Sequence, residues 1–149
     1  MKDKFKHLYM DWASRTAELS HARRLQVGAV IVKDDSVISY GYNGMPAGWE
    51  NDCEYIFTNP QTKIAELVTR KEVLHAESNA IAKLARSHNS GQGATMFITH
   101  APCMDCAKLI FQSGIGHVLY RDSYRDASGV AFLEKSGVVV EKIEDTDQR

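Results

Sequence analysis

The chain has 149 residues, of which 44% are hydrophobic and 25% charged, a composition typical of a single folded domain rather than a disordered or fibrous chain. Eighteen basic residues oppose nineteen acidic ones, and the resulting formal charge of −1 offers no positive field for a nucleic-acid duplex. Nowhere does an apolar run approach the roughly 20 residues of a membrane span, and the N-terminal residues lack the apolar stretch of a signal peptide. We therefore expect one cytoplasmic domain covering residues 1–149, with neither a nucleic acid nor a membrane as its partner.

The first half of the chain is predicted to form a helix and a β-hairpin, followed by a long loop. Apolar residues near the N-terminus recur at intervals of three and four, the spacing of a helix that buries one stripe. They are Phe5, Leu8, Tyr9, Trp12, Ala13 and Leu19. Residues 27–32 and 37–40 are rich in β-branched side chains and flank a turn sequence, which predicts a β-hairpin. From residue 41 to about 70 the periodicity is lost, so we predict an irregular segment, which at this length is usually functional or mobile.

The second half of the chain alternates helices and strands. Helices are predicted at residues 76–87, 104–113 and 128–136, and strands at 94–99, 116–120 and 138–143 follow them in turn. Strands that alternate with helices after an initial hairpin are typical of an α/β fold. We therefore predict three layers, in which helices cover a central mixed sheet of about five strands, with parallel crossover connections in its second half.

Two short motifs each open a predicted helix, His75-Ala76-Glu77 and Pro102-Cys103-Met104-Asp105-Cys106. Cys103 and Cys106 are three residues apart, so on a first helical turn both sulfurs lie on one face and can occupy two corners of a tetrahedron. A helix N-terminus also favours the thiolate form that a metal requires. With the imidazole of His75, this ligand set leaves the fourth zinc position open, which is typical of catalytic rather than structural zinc.

Glu77 lies two residues from His75, near enough for its carboxylate to reach a zinc-bound water without being a ligand itself. Zinc lowers the pKa of such a water to about 7, so the carboxylate can take its proton and deliver it elsewhere. The H-x-E…P-C-x-x-C arrangement is the established signature of zinc-dependent nucleobase deaminases. The motifs therefore predict hydrolytic attack at C4 of a cytosine ring, with Glu77 protonating N3 and then the departing amine.

Each half of this pattern also has a less specific interpretation. A lone C-x-x-C occurs in redox sites and in half of a zinc finger, and H-x-E alone is weaker still. A closed structural zinc would need a fourth ligand, and Cys53 is the one cysteine left of the three in the chain. We expect Cys53 to be a buried or free thiol, since an odd number of cysteines cannot close as a set of disulfides.

Several segments carry a more specific resemblance. They are Val-Gly-Ala-Val-Ile-Val-Lys at 27–33, Gly-Tyr-Asn-Gly at 41–44, His-Ala-Glu-Ser-Asn-Ala at 75–80 and Pro-Cys-Met-Asp-Cys-Ala-Lys at 102–108, together with residues 112–115 and 120–125. On these segments the sequence resembles the deoxycytidylate (dCMP) deaminases over nearly its whole length. Gly-Tyr-Asn-Gly distinguishes that family, whereas the zinc motif is shared with cytidine deaminases and tRNA adenosine deaminases. The resemblance implies a three-layer α/β/α cytidine-deaminase-like fold and the conversion of dCMP to dUMP, the precursor of thymidylate.

The resemblance also assigns roles to individual residues. It implies that His75, Cys103 and Cys106 hold the catalytic zinc and that Glu77 shuttles protons. The substrate-binding residues that it implies are Arg24, Asn43, Ala76, Tyr124 and Arg125. Asn43 would hydrogen-bond the deoxyribose, and the two arginines with the tyrosine would hold the phosphate, since a guanidinium offers two parallel donors. Without the family, the arginines would be interpreted as solvated charges and the tyrosine as a half-buried packing residue. Arg23 is the weaker alternative to Arg24.

Regulation in an oligomer, with a hexamer favoured, is a further implication of the resemblance. dCTP would activate the enzyme and dTTP would inhibit it, with Mg²⁺ accompanying the bound triphosphate. The effector site would lie at a subunit contact and include residues 41–52, among them Tyr42 and Gly44, together with Arg86. Longer family members carry paired cysteines and extra histidines for a second zinc, whereas Asp52-Cys53 replaces that pair here, so we expect one zinc per chain.

The sequence leaves alternative functions open. The same zinc chemistry could act on dCTP, because a phosphate clamp can accommodate a longer phosphate chain, or on a free cytidine nucleoside. The near-neutral charge counts against a base within tRNA, whose phosphates would require a basic face. A regulatory nucleotide-binding module without activity is another alternative, and the intact Glu77 counts against it. The sequence does not decide whether His100 contacts the pocket or only packs beside it.

Overall fold

The computed structural model describes residues 1–144, which contain four helices and seven strands. In chain order these are α1 (Asp3–Ala17), β1 (Gly28–Lys33), β2 (Ser36–Tyr42), β3 (Glu54–Thr58), β4 (Ala65–Thr69), α2 (Ala76–Ala85), β5 (Thr95–His100), α3 (Met104–Gln112), β6 (His117–Asp122), α4 (Ser128–Lys135) and β7 (Val139–Lys142). Residues 145–149, the end of the predicted 1–149 domain, lie outside the described ones. None of the helices described is long and apolar enough to cross a membrane.

Five of the strands form one mixed sheet in the order β2-β1-β5-β6-β7. β1 pairs antiparallel with both β2 and β5, whereas β5, β6 and β7 run parallel to one another. α3 connects β5 to β6 and α4 connects β6 to β7, because parallel neighbours need a long crossover connection. The predicted mixed sheet of five strands, with parallel crossovers in its second half, is confirmed.

Helices cover both faces of this sheet. Side chains alternate along β1, so Ala29 and Ile31 face α2, α3 and α4 in one core, while Val30 and Val32 face α1 in the other. All four side chains are at most 2% exposed. A strand buried on both faces requires a helical layer on each side, and the predicted three-layer arrangement is confirmed.

The helix α1 buries a different stripe from the one predicted. Its buried residues are Tyr9, Met10, Ala13, Thr16 and Ala17. The other members of the predicted stripe, Phe5, Leu8, Trp12 and Leu19, are 37%, 50%, 47% and 54% exposed. The reason is the close approach of α1 to Gly28 in β1, where a Cβ atom would lie only 2.1 Å from the Ala13 carbonyl oxygen. Two backbones come this close only through small side chains, so Ala13 and Ala17 face β1 here, and the buried stripe runs through them rather than through the larger predicted residues.

Residues 41–70 are not irregular throughout, and that prediction is wrong. β3 and β4 pair antiparallel as a separate two-stranded sheet, the β3–β4 hairpin, with Glu54 opposite Thr69. The residues of β3 after Glu54 are all exposed, so the strand lacks the alternation by which a half-buried strand is recognised. A backbone bridge between Gly44 and Leu74 joins the start of this segment to the residue before His75.

Replacing Gly28 with alanine should destabilise the fold, because the added Cβ would meet backbone atoms of Ala13 and Ala17 at 2.1 and 2.6 Å. Overpacking costs about 1–3 kcal/mol, and main-chain atoms have little freedom to move aside, so we expect a loss near the upper end in urea unfolding. Gly116→Ala is the matched control, since its Cβ would meet nothing within 4 Å. It should change the free energy of unfolding by less than about 0.5 kcal/mol. Equal losses in the two variants would contradict this account of α1.

Candidate active site

Two helix N-termini bring three metal-binding side chains together. His75 is the N-cap of α2, Cys103 is the N-cap of α3, and Cys106 follows on the first turn of α3. The His75 Nδ1 atom lies 3.2 Å from Cys106 Sγ and 3.7 Å from Cys103 Sγ. All three donor atoms lie within 4.8 Å of one another. The structure therefore unites the three residues that the sequence predicts as zinc ligands.

One of these three side chains, Cys103, is already in the protonation state that a metal requires. Hydrogen bonds with Cys106 and His75 lower the pKa of Cys103 to about 4, so this sulfur is a thiolate at neutral pH. The hydrogen bond with Cys103 raises the pKa of Cys106, and likewise that of His75. Two sulfurs and one imidazole form a donor set that Zn²⁺ prefers, and the thiolate is the form that coordinates it.

Glu77 is buried beside this cluster. It is the second residue of α2, its exposed fraction is 5%, and its carboxylate accepts a hydrogen bond from the Cys106 thiol. Burial raises the pKa of the Glu77 carboxyl to about 7, because low-dielectric surroundings disfavour the charged form. A carboxyl that titrates near neutral pH can both accept and release a proton within one reaction.

A cavity of about 500 Å³ opens onto the cluster and is lined by His75, Glu77 and Cys103. The residues that the resemblance implies as substrate-binding all line it as well: Arg24, Asn43, Ala76, Tyr124 and Arg125. Tyr124 and Arg125 come from the segment between β6 and α4. Small-molecule sites typically measure about 300–1,000 Å³. The structure therefore places a pocket for a small ligand directly against the metal-binding side chains.

Hydrogen bonds fix Asn43 at the wall of this pocket. Its Oδ1 accepts from the Val27 amide at 2.9 Å, and its Nδ2 donates to the Leu25 carbonyl at 2.8 Å. The Ser20 hydroxyl donates to the Asn43 carbonyl at 2.7 Å. An amide nitrogen carries two N–H groups, so Asn43 can hold this position and still offer a donor to a ligand.

Arg23 and Arg24 have different surroundings, although they are neighbours in sequence. The Arg23 guanidinium lies 3.6 Å from Asp52 Oδ1 and 3.7 Å from Glu54 Oε1, so its charge is already paired. Arg24 lines the pocket and donates from Nη1 to Thr69 Oγ1 at 3.1 Å, and this hydroxyl is a neutral partner. The surroundings therefore favour Arg24 over Arg23 as the residue that faces an anionic ligand.

Sequence reasoning missed part of the pocket wall. Glu54 and Thr69 line the cavity from the β3–β4 hairpin, and Cys53 lines it from just before β3. Cys53 is a buried free thiol, as expected. The two hairpin residues were not predicted because their strands are largely exposed and carry no periodic signal, so nothing in the pattern relates them to the metal-binding motifs.

His100 contacts the pocket, which settles the alternative that the sequence leaves open. Its Nδ1 lies 3.0 Å from Thr99 Oγ1, and its Nε2 lies 3.4 Å from Asp122 Oδ2. Because the Gly28 amide donates to Thr99 Oγ1 at 3.1 Å, the hydroxyl can donate its own proton to Nδ1, which places the ring proton on Nε2. Burial lowers the pKa of His100, so its ring is neutral at pH 7.

The three residues predicted for an effector site lie at opposite ends of α2. The Tyr42 carbonyl accepts from Asn79 Nδ2 at 2.8 Å, and Gly44 pairs its backbone with Leu74, so both contact the start of this helix. Arg86 is the C-cap of the same helix, about 15 Å along the axis from its first residue. Within one chain, α2 therefore separates Arg86 from the other two.

The sequence is similar to known deaminases. Residues 3–121 match the family model of the cytidine and deoxycytidylate deaminase zinc-binding region. The deoxycytidylate deaminase of Enterobacteria phage T4 is 38% identical, over 66% of this chain and 68% of its own length. The deoxycytidylate deaminase of Homo sapiens is 35% identical, over 80% of this chain and 70% of its own length.

A solved structure extends the similarity to the whole fold. The dCMP deaminase of the cyanophage S-TIM5, in complex with dCMP and dUMP, is 40% identical and superposes with a TM-score of 0.86. The match covers 96% of this chain and 99% of that one. The three-layer architecture described above is thus the cytidine-deaminase-like fold. This chain belongs to the cytidine and deoxycytidylate deaminase family.

Proposed function

We propose that this protein catalyses the zinc-dependent hydrolytic deamination of dCMP to dUMP and ammonia, and so supplies dUMP for thymidylate synthesis. One observation carries the proposal: two of the metal-binding residues, the buried Glu77 and two arginines suited to a phosphate line a single pocket. The similarity to the deoxycytidylate deaminases of phage T4 and cyanophage S-TIM5 supports the same reaction. We also propose the cytoplasm as the compartment, because three cysteines of which two would be metal ligands and none forms a disulfide are typical of a reducing environment.

His75, Cys103 and Cys106 would hold one zinc ion per chain. The donor set fits this metal, since two sulfurs and an imidazole are ligands that zinc prefers, and three protein ligands leave one position open. Zinc held there supplies Lewis acidity that makes a water molecule nucleophilic near neutral pH. The low pKa of Cys103 assists binding, because a thiolate releases no proton when it coordinates the metal.

Glu77 moves the protons of the reaction. Its carboxylate accepts a proton from the attacking water as the oxygen bonds to C4 of the cytosine ring, and it delivers that proton to N3. The carboxylate then takes the second proton of the oxygen and passes it to the amino group on C4. The C4–N bond breaks, ammonia leaves, and the C4 carbonyl of uracil forms, so that one water is consumed for each dCMP.

The rest of the pocket would select a deoxynucleoside monophosphate. We assign Arg24, Tyr124 and Arg125 to the 5′-phosphate and Asn43 to the deoxyribose 3′-hydroxyl, with Ala76 in the pocket wall between His75 and Glu77. Two guanidinium groups favour a phosphorylated ligand over a nucleoside, because each can donate two parallel hydrogen bonds to phosphate oxygens. dCTP and a free cytidine nucleoside are the competing substrates for the same chemistry.

We also propose that the chains assemble into a homo-oligomer, with a hexamer favoured. Two apolar surfaces support an assembly. One is formed by Trp12 of α1 with Leu19 just after that helix, which are 47% and 54% exposed, and the other by Ile56 and Phe57 of the β3–β4 hairpin, which are 68% and 44% exposed. Trp12 and Leu19 line one surface groove together with Tyr40, and exposed apolar patches of this kind mark interaction sites. A second chain would also allow Arg86 of one chain to lie beside residues 42–44 of another, as an effector site at a subunit contact requires.

The catalytic role of Glu77 predicts separate losses of rate and of metal in two variants. Glu77→Gln cannot carry a proton between oxygen and nitrogen and should lower kcat by about 10²–10⁴-fold, yet it should retain zinc. Cys103→Ser removes a thiolate ligand and should lose zinc as well as activity. Elemental analysis of both proteins, beside dCMP turnover followed by ultraviolet absorbance, checks the pair. Retention of most of the rate in Glu77→Gln would rule out the proton shuttle.

Substrate comparison tests the assignment of the phosphate-binding residues. Two charge-assisted contacts should make kcat/KM for dCMP larger than that for deoxycytidine by about 10²-fold or more. Ammonia release from dCMP, CMP, dCTP and deoxycytidine, measured under one set of conditions, gives the full ranking. If deoxycytidine is converted as efficiently as dCMP, the arginines do not bind a phosphate. A preference for dCTP would instead establish the longer phosphate chain as the natural ligand.

Effector titrations test the proposed regulation by dCTP and dTTP. With Mg²⁺ present, dCTP should lower the dCMP concentration that gives half-maximal rate and dTTP should raise it, by factors in the usual allosteric range of about 5–150. Arg86→Ala should weaken both responses, because it removes a cation from the proposed effector site. Saturation curves that neither nucleotide shifts would contradict this regulation while leaving the deamination reaction intact.

A further inference from the structure

We propose that the β3–β4 hairpin positions Arg24 for phosphate binding: Glu54 holds the main chain of residues 23 and 24, and Thr69 orients the Arg24 guanidinium. Both are positioning residues, since they act through Arg24. This inference rests on the proposed function, in which Arg24 binds the 5′-phosphate of the substrate. The inference assigns a role to the β3–β4 hairpin, which contains none of the metal-binding residues.

Glu54 is a buried carboxylate whose partners are main-chain amides. Its side chain is only 1% exposed. It accepts hydrogen bonds from the Arg23 amide at 2.8 and 3.1 Å and from the Arg24 amide at 2.9 Å. A buried carboxylate is strongly destabilising unless its oxygens are hydrogen-bonded, and here two consecutive amides of one segment bond to it. Glu54 therefore fixes the path of the main chain at Arg24.

The charges around Glu54 are arranged so that an anion can still bind nearby. Glu54 lines the pocket, where an unpaired carboxylate would repel a phosphate. Arg23 balances that charge, because its Nε lies 3.7 Å from Glu54 Oε1 and its Nη2 donates to the Glu54 carbonyl at 3.3 Å. The hydrogen bond from Arg24 Nη1 to the neutral Thr69 hydroxyl, at 3.1 Å, orients the guanidinium without cancelling its charge.

Both contacts come from one end of the hairpin. Glu54 and Thr69 are opposite each other in the β3–β4 register, so a single cross-strand pair holds the main chain and the side chain of Arg24. Arg70 closes this end, since its amide donates to the Cys53 carbonyl at 2.8 Å and its guanidinium lies 2.9 Å from Asp52 Oδ2. The position of Arg24 in the pocket thus depends on two hydrogen-bonded strands rather than on an irregular loop.

Conservative variants of the zinc-loaded enzyme test this role. Glu54→Gln keeps the shape of the side chain but removes its charge and sets an amide NH₂ against main-chain donors. We expect the ratio of kcat/KM for dCMP to that for deoxycytidine to fall about tenfold, mainly through KM for dCMP, as loss of a charge-assisted hydrogen bond would produce. Thr69→Val keeps the β-branched shape without the hydroxyl and should lower the ratio by a smaller factor, about two- to fivefold.

Glu66→Gln is the matched control. Glu66 is an exposed residue of β4, so the same chemical change is made on the same hairpin but away from the pocket lining. In Glu66→Gln, the ratio of kcat/KM for dCMP to kcat/KM for deoxycytidine should equal that of the wild type. A fall in this ratio similar to that of Glu54→Gln would overturn the inference, because any loss of charge on the hairpin would then have the same effect.

Binding of dUMP and deoxyuridine, measured by calorimetry, separates this inference from the proposed reaction because it requires no turnover. If Glu54→Gln weakens dUMP about tenfold more than deoxyuridine, the inference holds even if the wild type fails to deaminate dCMP. An unchanged ratio of the two affinities, or an equal loss for both ligands, would overturn the role of Glu54. If Glu54→Gln does not fold, Thr69→Val decides: it should weaken dUMP about two- to fivefold more than deoxyuridine, and an equal effect on both ligands would overturn the inference.

Discussion

The active site depends on the meeting of two helix N-termini on one side of the sheet. His75 and Cys103 occupy N-cap positions, so their side chains project beyond the first turns of α2 and α3, and Cys106 completes the group from within α3. The positive ends of both helix dipoles stabilise negative charge there, in the same direction as the hydrogen bonds that lower the pKa of Cys103. The proposed metal binding and the proposed proton transfer both require this junction, because Glu77 lies on the first turn of α2.

Two glycines allow other elements to lie against this junction. A Cβ on Gly41 would lie 2.4 Å from the Ala76 carbonyl oxygen, and a Cβ on Gly129 would lie 2.1 Å from the Pro102 carbonyl oxygen. Each glycine thus packs on the residue beside a metal ligand, one from β2 and one from α4. The Gly-Tyr-Asn-Gly segment therefore supports the start of α2 by packing, in addition to the hydrogen bonds that hold Asn43 at the pocket wall.

The chemistry could be predicted from the sequence because its geometry is local. Cys103 and Cys106 lie three residues apart on one helical turn, so their spacing places both sulfurs on one face. Glu77 is only two residues from His75 in the chain, so it is necessarily close to that ligand. The buried face of α1 could not be predicted in the same way, because the backbone contact at Gly28, and not hydrophobicity, decides which stripe faces the sheet. The β3–β4 hairpin was not predicted because its strands are largely exposed, and such strands need no alternation of apolar and polar residues.

At the chemical end of the pocket Glu77 and Cys106 are buried although His75 is exposed, whereas the proposed phosphate-binding residues are all exposed. Cys106 and Glu77 are 2% and 5% exposed, whereas Tyr124 is 37% exposed and both Arg24 and Arg125 are exposed. Burial is what raises the pKa of Glu77 to about 7. The proposed contacts of the two arginines with a phosphate would avoid most of the desolvation penalty of a buried ion pair, because water still reaches them.

The two ends also stand on different parts of the fold. Helix termini packed on the central sheet carry the metal-binding residues and Glu77. The segments around residues 23–24 and 124–125 carry the groups proposed to bind the phosphate, and the hairpin outside that sheet carries the residues proposed to position Arg24. A change in the second set need not disturb the first, because the two share a cavity but belong to separate elements. This separation explains why the zinc motif alone indicates deamination, while the choice among dCMP, dCTP and nucleosides has to be argued from the residues at the exposed end.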